Sequence, residues 1–300
     1  MSAAPLGFGL VLPQFGPSAR GPEATARLRE VAIRADRLGY AVLWTAEHIV
    51  FPREIATPYP YGGRFPVPVT DPILDPIVAL SYAAAVTDRV QLGTSVLVLP
   101  YRHPMVLAKQ LATLDVMSNG RVLAGVAGGW LREEFELLGV PFRERGARTD
   151  EAIALMRALW SEESVTFRGR FWSLEEAAFF PKPARAGGPP IWIGGSSPPA
   201  MRRAARLGDG WIAVPRPTLE ELARDVATLR RLAEESGRDP TQLGVSSGGA
   251  AKSMDELVDR LPELARIGVT LASVPLLSWA KSFQHSLELM EEFAERVIDA

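Results

Sequence analysis

The sequence predicts an α/β fold, a (β/α)8 barrel. Three observations lead there. Eight short apolar runs alternate with eight longer amphipathic stretches across 300 residues. The runs show little inside–outside alternation, as expected of parallel strands buried on both faces. Capping boxes and glycines punctuate several of the helical stretches. Periodicity does not reveal closure, so a doubly wound open sheet is the alternative. No internal repeat, low-complexity tract or linker divides the chain, and residues 1–300 read as one barrel domain.

The elements follow in order. A strand over Leu6–Leu12 precedes a helix over Glu23–Leu38, closed by Gly39. The strand Ala41–Thr45 leads into a long loop, 46–75, and then a helix over Pro76–Val86. The strand Val90–Val98 is followed by the helix Met105–Met117, whose Leu107, Leu111 and Leu114 share one face. The strand Arg121–Val126 runs into Gly128-Gly129-Trp130, and a helix spans Arg145–Trp160. A second long connection, 161–189, joins a helix to a strand and should lie opposite the catalytic face. Its segment SVTFRGRFWSL reads as a hairpin turning at Arg168–Arg170, with a structural or oligomerisation role. The strand Pro190–Gly194 and helix Pro198–Leu207 come next, closed by Gly208. The strand Gly210–Val214 precedes the helix Leu219–Glu235, which has a Thr218/Glu221 capping box, a Leu222/Val226/Leu229 face and Gly237 beyond its end. The strand Leu243–Ser247 precedes the helix Met254–Ile267, with a Ser253/Glu256 box and Gly268. The strand Val269–Pro275 and helix Lys281–Val297 complete eight units.

Composition narrows the function. The formal charge is −2, and no long Lys/Arg block is present, so neither nucleic acid nor an anionic membrane is expected as partner. The chain has no cysteine, hence no disulfide, thiolate nucleophile or Cys-ligated metal. His48, His103 and His285 lie far apart, so no metal site is expected. Without a signal-like start or a membrane-length apolar run, a cytoplasmic location is expected.

In a barrel the chemistry sits at the C-terminal ends of the strands. The Pro- and Gly-rich loop 46–75 is then a lid or pocket wall. His48 stands at that face, and His titrates nearest neutral pH. Position alone leaves it either a catalytic group or a loop histidine bonded to backbone. Gly128 and Gly129 let a flat ligand approach the backbone. Gly194, Gly195, Ser196 and Ser197 precede a helix, where backbone N–H groups and the helix dipole favour phosphate. Asp209 reads as structural. Arg145 and Arg148 either bind an anion or pair with Glu133, Glu134 or Glu144, and Gln14 faces the same mouth as a candidate contact to ring or substrate.

The segments GLVLPQFG, GTSVL, TLDVMSNGRVLAGVAGGWLREEFELLGVPFRERG and PPIWIGG…RRAARLGDGW resemble the bacterial luciferase-like flavin and deazaflavin oxidoreductases. The likeness runs from Gly9 to about Val214 and extends to a subgroup described as probable F420-dependent oxidoreductases of actinobacteria. It implies a luciferase-like TIM barrel, coenzyme F420 or alternatively FMN, a small-molecule substrate and a homodimer. It implies an acid–histidine pair at Glu47 and His48, with glutamate where the family usually has aspartate. It implies a bulge with a non-proline cis peptide at Ser95–Val96 backing the ring, Gly128 and Gly129 flanking it, and the phosphate at Gly194–Ser197. The family's sugar-phosphate dehydrogenases carry glutamate at the position of Trp130 and tryptophan at that of Pro52, so a sugar phosphate is not the expected substrate. Trp130 instead walls the substrate pocket or packs in a hydrophobic lid. The reaction implied is hydride transfer, with an FMN-dependent monooxygenase and a non-catalytic binding barrel as alternatives.

Overall fold

The computed structural model describes residues 6–61, 63–65, 67–214 and 217–299. Within loop 46–75, Gly62 and Pro66 lie outside the described residues. In chain order the elements are β1 (Gly7–Val11), α1 (Ala24–Arg37), β2 (Val42–Thr45), α2 (Pro76–Ala84), β3 (Gln91–Thr94), β4 (Leu97–Val98) and α3 (Pro104–Met117). Then come β5 (Val122–Ala127), α4 (Arg132–Leu137), α5 (Arg145–Ser161), β6 (Ser164–Arg168), β7 (Ser173–Ala178), β8 (Ile191–Gly194), α6 (Pro198–Leu207) and β9 (Gly210–Ile212). The chain closes with α7 (Leu219–Glu235), β10 (Gly244–Ser247), α8 (Met254–Ile267), β11 (Leu271–Val274), α9 (Leu276–Trp279) and α10 (Phe283–Phe293).

The sheet is a closed parallel ring of eight strands, β1-β2-β3-β5-β8-β9-β10-β11, because β3 pairs with both β2 and β5. The doubly wound alternative is thereby excluded. Two tryptophans fill the barrel interior. Trp44 and Trp192 are almost fully buried among Val42, Leu123, Ile212 and Leu271. A Cβ on Gly9 or Gly93 would collide with Trp44, and one on Gly210 or Gly244 with Trp192. Large and small residues on neighbouring and next-but-one strands thus match in volume, as close packing requires. The second and larger core lies between the ring and the helices, where Leu107, Leu111, Leu222 and Leu229 are all buried.

The helix termini follow the expected chemistry with two differences. Thr218 and Glu221 form a complete capping box. At Ser253 only half forms: its hydroxyl accepts from Glu256 N–H, while the Glu256 carboxylate reaches one residue further back, to Lys252 N–H at 2.6 Å. Gly208, expected in a left-handed conformation, is extended with φ −85°. Close approach requires its glycine, since a Cβ would sit 3.0 Å from the carbonyl oxygens of Ala204 and Gly210.

The connection 161–189 forms the expected hairpin, β6 against β7. It does not stay at the far end of the barrel. Glu151 on α5 accepts N–H bonds from Arg170, Phe171 and Trp172 at the tip, and Arg170 reaches Glu144 just before α5. The Trp172 ring lies 6.2 Å from that of His103, the cap of α3. The tip has therefore climbed along α5 to the face where helices begin and strands end. Among the described residues, no helix is long and apolar enough to cross a membrane.

Candidate functional site

The site is assembled where β2, β3, β5 and β8 end. The irregularity on β3 is a bulge. Gly93 pairs with Leu123 but Leu97 pairs with Val126, so four residues of one strand span three of its neighbour. The Ser95–Val96 peptide inside the bulge is cis. Gly125 admits the turn, because a Cβ there would collide with the Thr94 carbonyl, and the Thr94 hydroxyl donates to Gly125 O at 2.7 Å. Val96 then touches the next strand but one: its Cγ1 would stand 2.7 Å from a Cβ on Gly194. Ser95, Val96, Gly128, Gly129, Gly195 and Ser196 are all partly exposed. They form an arc of small residues across neighbouring strand ends. Gly129 has φ +79°, and a side chain there would strike Val98 and Phe135.

The start of α6 differs from the expected phosphate cradle. Its first two positions are Pro198 and Pro199, which have no N–H to give. The Ala200 N–H is directed at the Ser197 hydroxyl, and the Gly195 N–H donates to Ile212 O. The amide donors of this segment are then those of Ser196 and Ser197.

His48 finds its carboxylate, but the partner is Glu134 rather than Glu47. His48 Nδ1 lies 2.7 Å from Glu134 Oε2. A carboxylate accepts, so Nδ1 carries the proton and Nε2 is left for other chemistry. Glu134 sits on α4 with a fully buried side chain. It accepts three further bonds, from Ile49 N–H at 2.6 Å, Val50 N–H at 3.2 Å and the Tyr101 hydroxyl at 2.9 Å. Burial, and then the Glu134 carboxylate beside it, push the Tyr101 phenol far above its ordinary range, so it remains a donor at physiological pH.

Glu47 plays a structural part. Its buried carboxylate accepts from Val98 N–H at 2.6 Å and pairs with Arg102, which also reaches Asp75 at 2.8 Å. It fastens β4 to the end of β2, with no oxygen directed at His48. Two charges taken out of water need this mutual satisfaction.

Gln14 is likewise no pocket residue. It is fully buried, its amide donating to Ala46 O at 3.0 Å and Leu74 O at 2.8 Å, and its oxygen accepting from Ala46 N–H. It ties both ends of loop 46–75 together. Replacing it with leucine strands at least two buried backbone groups, each worth about 1–3 kcal/mol. We expect a variant with a lowered unfolding midpoint and faster amide exchange across 46–75, read by hydrogen-exchange mass spectrometry. Unchanged exchange would refute the strut role.

The same loop folds over His48. The Phe51, Phe65 and Trp130 rings lie 4.6, 5.1 and 6.1 Å from the imidazole, and Tyr59 packs 5.2 Å from Trp130. Trp130 thus joins the lid's aromatic cluster and walls His48 at once. Glu133, next to Glu134, accepts from Ala56 N–H and Thr57 N–H, pinning the loop at a second point. Of the two arginines flagged in the sequence, Arg148 pairs with Glu144 at 2.8 Å. Arg145 joins no ion pair among the described residues and lies over the Phe142 ring, 4.0 Å from its centroid. Asp209 braces β8, accepting from Arg157 and from Ile191 N–H.

A family model described as luciferase-like monooxygenase matches residues 6–272. An uncharacterized protein of Mycobacterium tuberculosis is 32% identical over 277 residues, covering 89% of this chain and 93% of its own. The F420-dependent glucose-6-phosphate dehydrogenase of Kineococcus radiotolerans is 32% identical over 243 residues, 79% of this chain and 65% of that protein. Among solved structures, a monooxygenase from Streptomyces bottropensis superposes with a TM-score of 0.79 at 26% identity, covering 98% of this chain and 99% of the other.

Proposed function

This chain belongs to the luciferase-like monooxygenase family, and we propose that within it the protein is an F420-dependent oxidoreductase acting on a small, largely apolar organic substrate. The observation that carries the reading is the pairing of a half-buried His48 with the buried Glu134 beside an arc of small residues. The residues fit a flat cofactor: Ser95, Val96, Gly128 and Gly129 put backbone or a short side chain, and no bulky one, toward the strand ends. They would hold the ring, and Ser196 and Ser197 would serve its phosphate.

A reduced deazaflavin supplies a hydride when bound. The protein's own groups do the rest. Glu134 fixes the imidazole so that Nε2 exchanges a proton with a substrate oxygen or nitrogen. Phe51, Tyr59, Phe65 and Trp130 keep water from the reacting centre and select for apolar body in the substrate. The Kineococcus relative's sugar phosphate is not carried over, since Trp130 sits within the aromatic cluster and adds no charge to meet such a substrate. The Phe51, Phe65 and Trp130 rings around His48 also suit dioxygen, which supports a second reading as an FMN-dependent monooxygenase.

Titration of the protein with F420 and with FMN, oxidised and reduced, followed by fluorescence, separates the two. Dissociation constants near or below about 1 μM for F420, with FMN much weaker, are expected. The reverse order would move the protein to the oxygen-using reading, and binding of neither would remove both.

A further inference from the structure

Two arginines near the small-residue arc, Arg132 and Arg145, have no counter-ion among the described residues. Arg145 opens α5 at the end of β5, its Cγ 4.0 Å from where a Cβ on Gly128 would stand. Its guanidinium rests on the Phe142 ring and Nη1 donates to Phe142 O at 3.1 Å. Arg132 lies over the same ring, 4.4 Å from the centroid. Among the described residues neither arginine meets a carboxylate. The neighbouring arginines are treated differently: Arg148 is paired with Glu144, and the nearly buried Arg203 with Asp150. Burial first, then Arg132 and Arg203, hold the Arg145 pKa below its ordinary value, yet a guanidinium stays charged at any physiological pH. A partly buried cation with no carboxylate partner among the described residues, sharing the Phe142 ring with a second such arginine, is an arrangement that an anion would relieve.

Arg203, the sixth residue of α6, donates to Gly146 O at 3.1 Å and ties the start of α5 to that helix, so Arg145, next to Gly146, stands between the end of β5 and the middle of α6. The start of α6 is poor in donors, because Pro198 and Pro199 occupy its first two positions. A dianionic or monoanionic phosphate at Ser196 and Ser197 would lack the helix amides that ordinarily meet it.

We propose that Arg145 is the phosphate contact of this barrel, receiving the cofactor's phosphate through the guanidinium N–H groups that have no acceptor among the described residues. The proposal rests on the cofactor reading above for the identity of the ligand. A planar guanidinium suits phosphate because it offers paired N–H donors at fixed spacing.

The test compares ligands with and without phosphate. Wild type, Arg145→Met and Arg145→Lys are titrated with F420 and its dephosphorylated deazaflavin riboside, and with FMN and riboflavin. Methionine keeps an apolar stem near Phe142; lysine keeps the charge. For Arg145→Met we expect about 10- to 100-fold weaker binding of the phosphate-bearing ligand that the wild type prefers. The phosphate-free partner should change less than about twofold, and lysine should fall between. Equal weakening of both partners, or weakening of neither, overturns the proposal. Should the wild type bind no ring ligand, the cofactor reading falls and Arg145 is judged with inorganic phosphate. A rise in the wild-type unfolding midpoint that vanishes in Arg145→Met sustains the phosphate contact. No rise, or the same rise in both, overturns it. If Arg145→Met does not fold, Arg145→Lys decides by the same comparison, with a measurable loss confined to phosphate-bearing ligands required.

Discussion

Replacing His48 with alanine should lower turnover by about 10²- to 10⁴-fold, the usual contribution of a positioned acid or base. Cofactor affinity should stay within about threefold, because in the proposed reading the arc at Ser95, Val96, Gly128 and Gly129, and not the imidazole, would hold the ring. The comparison requires a substrate first, found by screening hydride donors and acceptors against F420 absorbance. The variant should fold, since His48 is only one of four donors to Glu134 and the other three remain. Single-turnover kinetics then separates the proton step from binding and release. Turnover equal to wild type would remove His48 from the chemistry and leave it as a lid anchor. A loss of cofactor affinity as large as the loss of turnover would instead make it a cofactor ligand.

The barrel was legible because its determinants are local. Helix faces such as Leu222/Val226/Leu229, the Thr218 cap and the apolar strands each declare themselves within a few residues. The strand glycines were less transparent. Gly9, Gly93, Gly210 and Gly244 have no local meaning, and become intelligible only when Trp44 and Trp192 are seen filling the interior against them. Two of the side-chain roles expected at the strand ends are not the ones the structure shows. Glu47 and Gln14 lie at the right mouth but spend their polar atoms on backbone and on Arg102. Such a role depends on contacts 32 to 60 residues away, as with Gln14 and its two carbonyl partners. Glu134 is hidden because α4 has only six residues, too few for a helical period to stand out. A signal for it existed. Leu131, Phe135 and Leu138 follow a helical stripe, and Glu134 falls on that stripe, where a carboxylate has no reason to be unless something is bonded to it. Sequence leaves Arg145 open between anion binding and ion pairing, because glutamates at 133, 134 and 144 are all near it in the chain.

Glu134 is where the two largest consequences of this site separate. Glu134→Ala removes the acceptor of four buried or half-buried donors at once, from His48, Ile49, Val50 and Tyr101. The loss should be about 3–5 kcal/mol of stability, as for other broken buried charge networks, seen as a lower denaturation midpoint with an unchanged m-value. Glu134→Gln is the more informative change. It preserves volume and one acceptor oxygen, which Ile49 and Val50 N–H can share, so stability should fall far less. Its amide NH2, however, replaces the oxygen that accepts from His48 Nδ1. The imidazole can satisfy that NH2 only by accepting at Nδ1, which moves the ring proton to Nε2 and takes away the basic nitrogen that the proposed proton exchange requires. A nearly native midpoint combined with turnover reduced by about 10²- to 10⁴-fold is therefore expected. The nitrogen chemical shifts of His48 report the tautomer directly, and a purely structural Glu134 would leave them unmoved. The double variant His48→Ala/Glu134→Gln supplies the last check. If Glu134 acts through His48, the double variant should be no slower than His48→Ala alone. Additive losses would mean that Glu134 serves catalysis by another route, through the lid backbone at Ile49 and Val50 or through Tyr101.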